Sequence, residues 1–411
     1  MPEIDCRQAQ NGDMGRIKEI AGLSFEDAAR HPDVLADLEN ETWYSPEHWV
    51  VAETAGKVVS AVGLRPGVMW MSGVAVPVVT IGTVCTHPEM RAQGIGRELM
   101  GFADEVMQAE GVVLSRLHTS PVRYGFYGRC GYVKAVTNQP VSVFDTDLIR
   151  PRIRQKAERD LGDARLRPAH PRDAARMLEI YEATHSRVTG CLSRNEHFFL
   201  RRIARRPKLW TWVAPEFEVV EDPADGVVAY VASALDDEHE GRYRGVVELA
   251  ALPHHAALAR TLLLHVAREA ERRNLHRINV FIDQHHPLGW VVHEFPMTVE
   301  HETSVMFLKV QDDGRFVELM TPMVEKRPGH FEVRLTLSIA GFGETVVGEG
   351  QEVRMVTDVP HLAALIYNGA WLAGLLGHGV LSFAPDTLAA HRALQTLFPD
   401  THARRCPLDG Y

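Results

Sequence analysis

Arg91, Gly94 and Gly96 stand in the run RAQGIGRELM, directly after the apolar stretch VVTIGTVCTHPEM. Beyond them Leu99, Met100, Phe102, Ala103, Val106 and Met107 recur at helical spacing, and Gly111 closes the pattern. The two glycines therefore fall at a helix start. Such a start carries backbone N–H groups without intrahelical partners and the positive end of the helix dipole. It suits a phosphate or pyrophosphate, and glycine lets the backbone approach one without a Cβ in the way. Arg91 and Arg97 add charge. The pattern is neither G-x-x-x-x-G-K-[ST] nor G-x-G-x-x-G, so a P-loop and the dinucleotide fingerprint are both excluded. On this spacing alone, a tight turn that holds no ligand explains the glycines equally well.

Other chemistry-bearing residues are sparser. Tyr124 and Tyr127 stand three residues apart in YGFYGRCGY. Cys85 lies inside an apolar strand and reads as packing rather than as a nucleophile. His87, His254–His255 and His285–His286 lack the helical pairing with a glutamate that a zinc site needs, so no metal is expected. VMWMSGV (68–74) reads as strand core or pocket wall, with Trp70 a candidate substrate contact. RRIARR (201–206) reads as a solvated helix face and DDEHE (236–240) as a loop.

These residues need a scaffold. WVVAE (49–53), KVVSAVGL (57–64), VPVVTIGTVCT (76–86) and VVLSRLHT (112–119) are rich in β-branched residues and read as strands. Ala55–Gly56–Lys57 turns the first into the second. The first 145 residues thus form a mixed α/β domain with a glycine-bearing turn between a strand and a helix. An echo follows about 160 residues on, where Arg7, Ala9, Asp13, Arg16, Ile17 and Ile20 find counterparts in Arg167, Ala169, Asp173, Arg176, Met177 and Ile180. Matching Pro88 to Pro253 lays ALPHHAALARTLLLH over THPEMRAQGIGRELM. Gly94 then falls on Ala259, Gly96 on Thr261 and Arg91 on Ala256. A duplication is implied whose second copy keeps the helix and loses the glycines. From about residue 304 the segments SVMFLKV, 331–340 and 351–358 read as strands, and 358–380 and 384–398 as helices, the latter with Asp386 as N-cap.

Composition sets the bounds. The chain has 411 residues, 45% hydrophobic and 24% charged, with a formal charge of −10. That charge makes nucleic acid a poor partner and favours a cationic substrate. Cys6, Cys85, Cys130, Cys191 and Cys406 form neither a disulfide framework nor paired zinc spacing. No apolar run reaches the roughly 20 residues of a membrane span, and MPEIDCRQAQ has no secretory character, so a cytoplasmic location without membrane contact is expected.

Arg91-x-x-Gly94-x-Gly96 after an apolar strand, with the order of helices and strands over 1–145, resembles the GNAT family of acyl-CoA-dependent N-acetyltransferases. Over the whole chain the resemblance is to the Eis (enhanced intracellular survival) group. Its pattern is an active GNAT domain (1–145), a degenerate second one (146–300) and a sterol-carrier-like α+β domain (301–411). YGRCGY is similar to that group's Tyr-Gly-Arg-Phe-Gly-Tyr, with Cys130 in place of the aromatic. LAALIYNGAWLAGLLGHGVL is similar to its last domain's helix.

The resemblance implies acetyl-CoA as donor and no metal. Val84, Cys85 and Thr86 would pair with the pantetheine arm. The amides of Ala92, Gln93, Gly94, Ile95, Gly96 and Arg97 would hold the pyrophosphate, with Ser120 and Pro121 beside the arm. The segment from Ser120 to Tyr127 is longer than in that group. Tyr127 would protonate the departing thiolate and the terminal carboxylate of Tyr411 would act as general base. Glu26, Asp27 and Glu41 would border the acceptor. The acceptor would be a small cationic amine (an aminoglycoside or polyamine) or a lysine side chain, and the assembly a homohexamer. Chemistry agrees with these roles: an amine must lose a proton to attack a thioester, and a carboxylate can accept it. A phenol, protonated at neutral pH, can donate to the leaving sulfur. The alternative from another class is a lipid- or ligand-binding protein that works through its last domain.

Overall fold

The computed structural model describes residues 3–25, 45–136, 139–205, 215–235, 244–282, 286–302, 305–326, 333–367, 381–384 and 388–398. In chain order its first elements are β1 (Asp5–Gln8), α1 (Met14–Ser24), β2 (Trp49–Thr54), β3 (Lys57–Met71), β4 (Val74–Thr86), α2 (Ile95–Ala109), β5 (Leu114–Thr119), α3 (Tyr124–Arg129) and β6 (Val133–Val136). There follow β7 (Gln139–Asp145), α4 (Pro151–Leu161), β8 (Arg165–Pro168), α5 (Ala174–His185), α6 (Glu196–Arg205), β9 (Glu216–Asp222), β10 (Gly226–Leu235), β11 (Arg244–Ala251), α7 (Leu258–Arg272), β12 (Arg277–Val280), α8 (Gly289–Val292) and β13 (Met297–Glu302). The last are β14 (Val305–Val310), α9 (Asp313–Lys326), β15 (Val333–Ile339), β16 (Gly343–Val347), β17 (Gln351–Thr357), α10 (Val359–Tyr367), β18 (Ser382–Ala384) and α11 (Leu388–Leu397).

Turn chemistry starts the first sheet. Ala55 and Gly56 take φ of 49° and 71°, and Ser72 and Gly73 take 50° and 84°. Two successive left-handed residues match the twist of tight hairpins, so β2–β3 and β3–β4 close directly. Both faces of the resulting sheet are buried. Val50 and Ala52 of β2 join Leu99, Met100 and Ala103 of α2, whereas Trp49 and Val51 join Ile17 and Ile20 of α1. Period-2 alternation thus feeds a helix on each face.

The described residues divide into two compact units, one of residues up to Val136 and from Val305 onward, the other of Gln139–Glu302. The seven-stranded sheet of the first runs β1-β2-β3-β4-β5-β14-β6, and that of the second β13-β7-β12-β11-β10-β9-β8. The two orders correspond if β14 and β7 change places. Val305–Val310, expected to open a third segment, pairs with β5 and β6. Gln139–Asp145, expected to end the first domain, pairs with β12 and β13. Pattern along the chain sets strand character but not strand partner, which is decided by long-range pairing.

The echo seen in sequence is an echo in geometry. Arg7 grips Asp13 with Nη1 at 2.7 Å and Nη2 at 3.0 Å and also reaches Glu53. Arg167 grips Asp173 at 2.7 and 3.0 Å and reaches Glu221. Arg16 donates through Nε to the Val58 carbonyl (3.1 Å), as Arg176 does to that of Val227 (2.9 Å). Each arginine–aspartate pair ties a strand, β1 or β8, to the turn before the helix that follows it, α1 or α5.

A four-stranded sheet, β16-β15-β17-β18, carries α9 and α11, while α10 packs on β14 and β6 within the first unit. The helix expected over 358–380 is present to Tyr367; its remainder and Asp386 lie outside the described residues. Among the described residues no helix is long and apolar enough to cross a membrane.

Hydrogen bonds from Arg7 hold the Asp13 carboxyl below the usual carboxylate range. A depressed folded-state value stabilises the fold above the unfolded value of about 3.9, and the contribution is lost as pH falls through the folded value. Asp13→Asn is expected to cost about 1–3 kcal/mol at pH 7 and to show a shallower loss of stability below roughly pH 4. Urea titrations of both proteins across that range check this, and parallel pH profiles would exclude it.

Candidate active site

β4 and β5 run parallel but pair only at Val78–Leu114, Val79–Ser115 and Thr80–Arg116. Past Thr80 they part, although β4 continues to Thr86 and β5 to Thr119. On its other side β4 stays paired with β3 through a register shift, and Thr83, within that shift, takes φ 51°. A bulge of this kind turns a strand and leaves backbone groups unpaired. Val84, Cys85 and Thr86 lie past that parting, with Cys85 and Thr86 still in register with Ala61 and Ser60 of β3, and all three line the opening between the strands.

That opening leads into a cavity of about 520 Å³. Val84, Cys85 and Thr86 line one wall, and Arg91, Ala92, Gly94, Ile95, Gly96 and Arg97 line the end at the start of α2. Gly94 is the N-cap of α2 at φ 85° in the left-handed region, and Ala92 stands at 61°. The first N–H groups of α2 precede any intrahelical acceptor and open on this space. The Nε of Arg91 donates to the Thr86 carbonyl at 3.2 Å and fastens the turn to the end of β4. A Cβ on Gly96 would lie 3.5 Å from Thr86 Oγ1 and 3.6 Å from the Phe126 ring, so larger side chains would enter the cavity.

The remaining wall comes from α3 and from the end of α1. Arg123, Phe126, Tyr127 and Arg129 line it, with Ser24 and Phe25 opposite. Tyr127 is only 7% exposed, and its hydroxyl has no hydrogen-bond partner among the described residues. Its ring stands edge-on to Phe126 (5.0 Å) and Tyr132 (6.2 Å) and lies 6.4 Å from Phe307 of β14. Burial pushes its hydroxyl up to about 12, against a smaller opposing pull from Arg123. Among the described residues four arginines line the cavity and no aspartate or glutamate does. Such a lining favours an anion.

Several expected residues stand elsewhere. The Gln93 side chain donates to the Glu89 carbonyl and does not line the cavity. Ser120 and Pro121 shape the turn before α3, where the Ser120 carbonyl accepts from Arg123 N–H at 3.0 Å, and neither lines the cavity. Tyr124 packs 5.4 Å from Phe307 under the Lys134 ammonium, away from the cavity. Cys85 is buried, its Sγ facing the Ala61 carbonyl at 3.7 Å, and burial pushes its thiol up to about 12, which suits packing and not nucleophilic work. Tyr411, Glu26, Asp27, Glu41 and His285 lie outside the described residues. Among the described residues no three His, Cys, Asp or Glu gather as metal ligands.

Sequence analysis missed Ser24, Phe25, Met90, Arg123, Phe126 and Arg129, all of which line the cavity. The signal for Arg123 was its place four residues before Tyr127.

The second unit shows the same helix start closed. On α7, Arg260 is 4% exposed and bonds Glu294 at 3.0 and 2.8 Å and also Asp160 of α4. Thr261 Oγ1 donates to the Ala157 carbonyl of α4 at 2.8 Å. A helix and a charge network occupy the side that the first unit leaves open.

Residues 5–135 match the family model described as an acetyltransferase (GNAT) domain. The chain thus carries a GNAT acetyltransferase domain, the class of acyl-CoA-dependent N-acetyltransferases. Its whole length follows solved structures of that class. A GCN5-related N-acetyltransferase from Kribbella flavida is 21% identical, with 100% of this chain and 99% of that one covered and a TM-score of 0.68. Eis1 from Mycobacterium abscessus is 16% identical over 98% and 99%, with a TM-score of 0.66, in keeping with an Eis-type architecture. A GCN5-related N-acetyltransferase from Anabaena variabilis is 16% identical over 98% of each chain, also at 0.66. At these identities the likeness is one of fold. No curated protein matches the chain in sequence.

Gly94 and Gly96 should respond differently to substitution. Gly94 has open space where a Cβ would be, so its constraint is backbone alone, and Gly94→Ala is expected to cost about 1–2 kcal/mol. Gly96→Ala makes only ordinary contacts and is expected within about 0.5 kcal/mol of the parent. Thermal unfolding of the two variants checks the difference, and equal losses would contradict it.

Proposed function

We propose that the protein transfers an acetyl group from acetyl-CoA to a primary amine. One observation carries this: a cavity lined, among the described residues, by four arginines and no acid, at a glycine-bearing helix start, next to a buried tyrosine whose hydroxyl is unengaged among those residues. A nucleotide pyrophosphate suits the helix start and the arginines. The pantetheine arm suits the backbone that β4 offers past its parting from β5, as a strand adds to an open edge.

In this reading the amine nitrogen attacks the thioester carbonyl carbon, the C–S bond breaks, and the electron pair goes to sulfur. Tyr127 is the general acid that donates to sulfur, and the terminal carboxylate of Tyr411 is the general base that takes the amine proton. The acceptor is a small cationic amine or a lysine side chain, to which the net charge of −10 is favourable. We further take the protein to be cytoplasmic and homohexameric, with residues 1–145 and 146–300 as active and degenerate GNAT domains and 301–411 as a sterol-carrier-like domain. These assignments rest on the resemblance.

Titration calorimetry with acetyl-CoA and a thiol-release assay over a panel of amines test the function. Binding is expected to weaken when a valine replaces Gly96 and as salt rises. Tyr127→Phe is expected to lower kcat by about 100-fold with little change in acetyl-CoA affinity. Absence of acetyl-CoA binding would end the proposal. Extension by one residue beyond Tyr411 is expected to cut turnover sharply while binding persists, and unchanged turnover would remove the terminal carboxylate as base.

A further inference from the structure

Tyr127 poses a chemical difficulty for the reaction proposed above. Burial raises its hydroxyl to about 12, whereas an ordinary thiol ionises near 8.5. Proton transfer from so weak an acid to a thiolate runs uphill. As the C–S bond breaks, negative charge builds on sulfur. A buried site must offset such charge, because water cannot.

Among the described residues the cations on the cavity wall are arginines. Arg91 is fastened by its Nε to the Thr86 carbonyl, and Arg97 lies in the first turn of α2. Both belong to the end where the pyrophosphate would sit. Arg123 and Arg129 belong to the other wall, at the two ends of α3, and the Arg129 guanidinium lies back along the helix beside Gly125. Arg123 is the one fixed at the start of α3. It is the N-cap of α3, held by its N–H to the Ser120 carbonyl at 3.0 Å. Tyr127 follows four residues later, so the two side chains leave the helix on one side, and both line the cavity. Among the described residues no carboxylate pairs with Arg123, so its charge is not already spent. It also acts electrostatically on Tyr127, in the direction that eases release of the phenolic proton.

We propose that Arg123 carries the leaving-group charge: its guanidinium stabilises the thiolate of coenzyme A as the C–S bond breaks. This rests on the acetyl-transfer reading above. The amine nitrogen bonds to the carbonyl carbon and the sulfur takes the electron pair beside Arg123. The Tyr127 proton then passes to sulfur, and the phenolate regains a proton from solvent. The amine proton leaves to the base.

The test compares the parent with Arg123→Gln and Arg123→Lys on three donors: acetyl-CoA, the phosphate-free S-acetyl-N-acetylcysteamine, and the aryl thioester phenyl thioacetate, whose thiolate needs less stabilisation. For Arg123→Gln the expected result is a fall in kcat of about 10-fold or more with acetyl-CoA. A similar fall in kcat/KM is expected with the cysteamine thioester and a much smaller one with the aryl thioester. Affinity for coenzyme A by calorimetry should stay within about 2-fold, and Arg123→Lys should recover most of the rate. A loss confined to acetyl-CoA and seen as weaker binding would make Arg123 a phosphate contact and overturn the proposal. Equal losses on all three donors, or none, would overturn it as well. A readout without turnover is the ultraviolet absorbance titration of the thiol of bound coenzyme A. Its ionisation should need a higher pH in Arg123→Gln than in the parent, and equal values would refute the proposal. Failure of the parent to bind acetyl-CoA or to acetylate any amine would instead refute the function itself.

Discussion

The parting of β4 from β5 after Thr80–Arg116 is the constraint on which the site depends. Two parallel strands that separate while each continues must find other partners for their backbones, since buried N–H and C=O groups left unpaired are costly. β5 finds β14 on its far side, paired from Val305–Thr119 to Val310–Leu114. β4 keeps β3 and leaves Val84–Thr86 facing the gap. The same event therefore opens a backbone edge for a ligand and requires a strand from far along the chain to hold the other lip.

That distant strand also sets the site's side chains. Phe307 of β14 is 2% exposed and packs against both Tyr124 and Tyr127. It holds Tyr124 away from the cavity, and Tyr127 has its ring enclosed by Phe126, Tyr132 and Phe307 while its hydroxyl stays unengaged among the described residues. Of two tyrosines three residues apart, one is thus a packing residue and the other a site residue. Lys309, also on β14, donates to Asp104 on α2 at 2.6 Å and to the Cys130 carbonyl at 2.8 Å, linking the helix of the glycine turn to the end of α3.

The second unit is a natural control on what the glycines contribute. It repeats the arginine–aspartate clasp and the sheet order, yet its helix start is covered by α4 and bound into the Arg260–Glu294–Asp160 network. Ala259 and Thr261 are buried there, where Gly94 and Gly96 line a cavity in the first unit. Side chains at this helix start and its burial go together: the surface there packs against protein.

Local pattern sufficed for much of this. Hydrophobic period marked β2–β5 and α2, the left-handed turns followed from their glycines, and the repeat of Arg7 and Asp13 at Arg167 and Asp173 showed the duplication, because each of these signals lies within a few residues of chain. The glycine motif likewise located the helix start and one end of the arginine-lined cavity. Sequence alone did not decide which strands exchange between sheets, which of Tyr124 and Tyr127 lines the cavity, or that Arg123 stands on its wall. Those outcomes depend on pairing and packing between residues far apart in the chain, where a strand's composition states that it will pair but not with what.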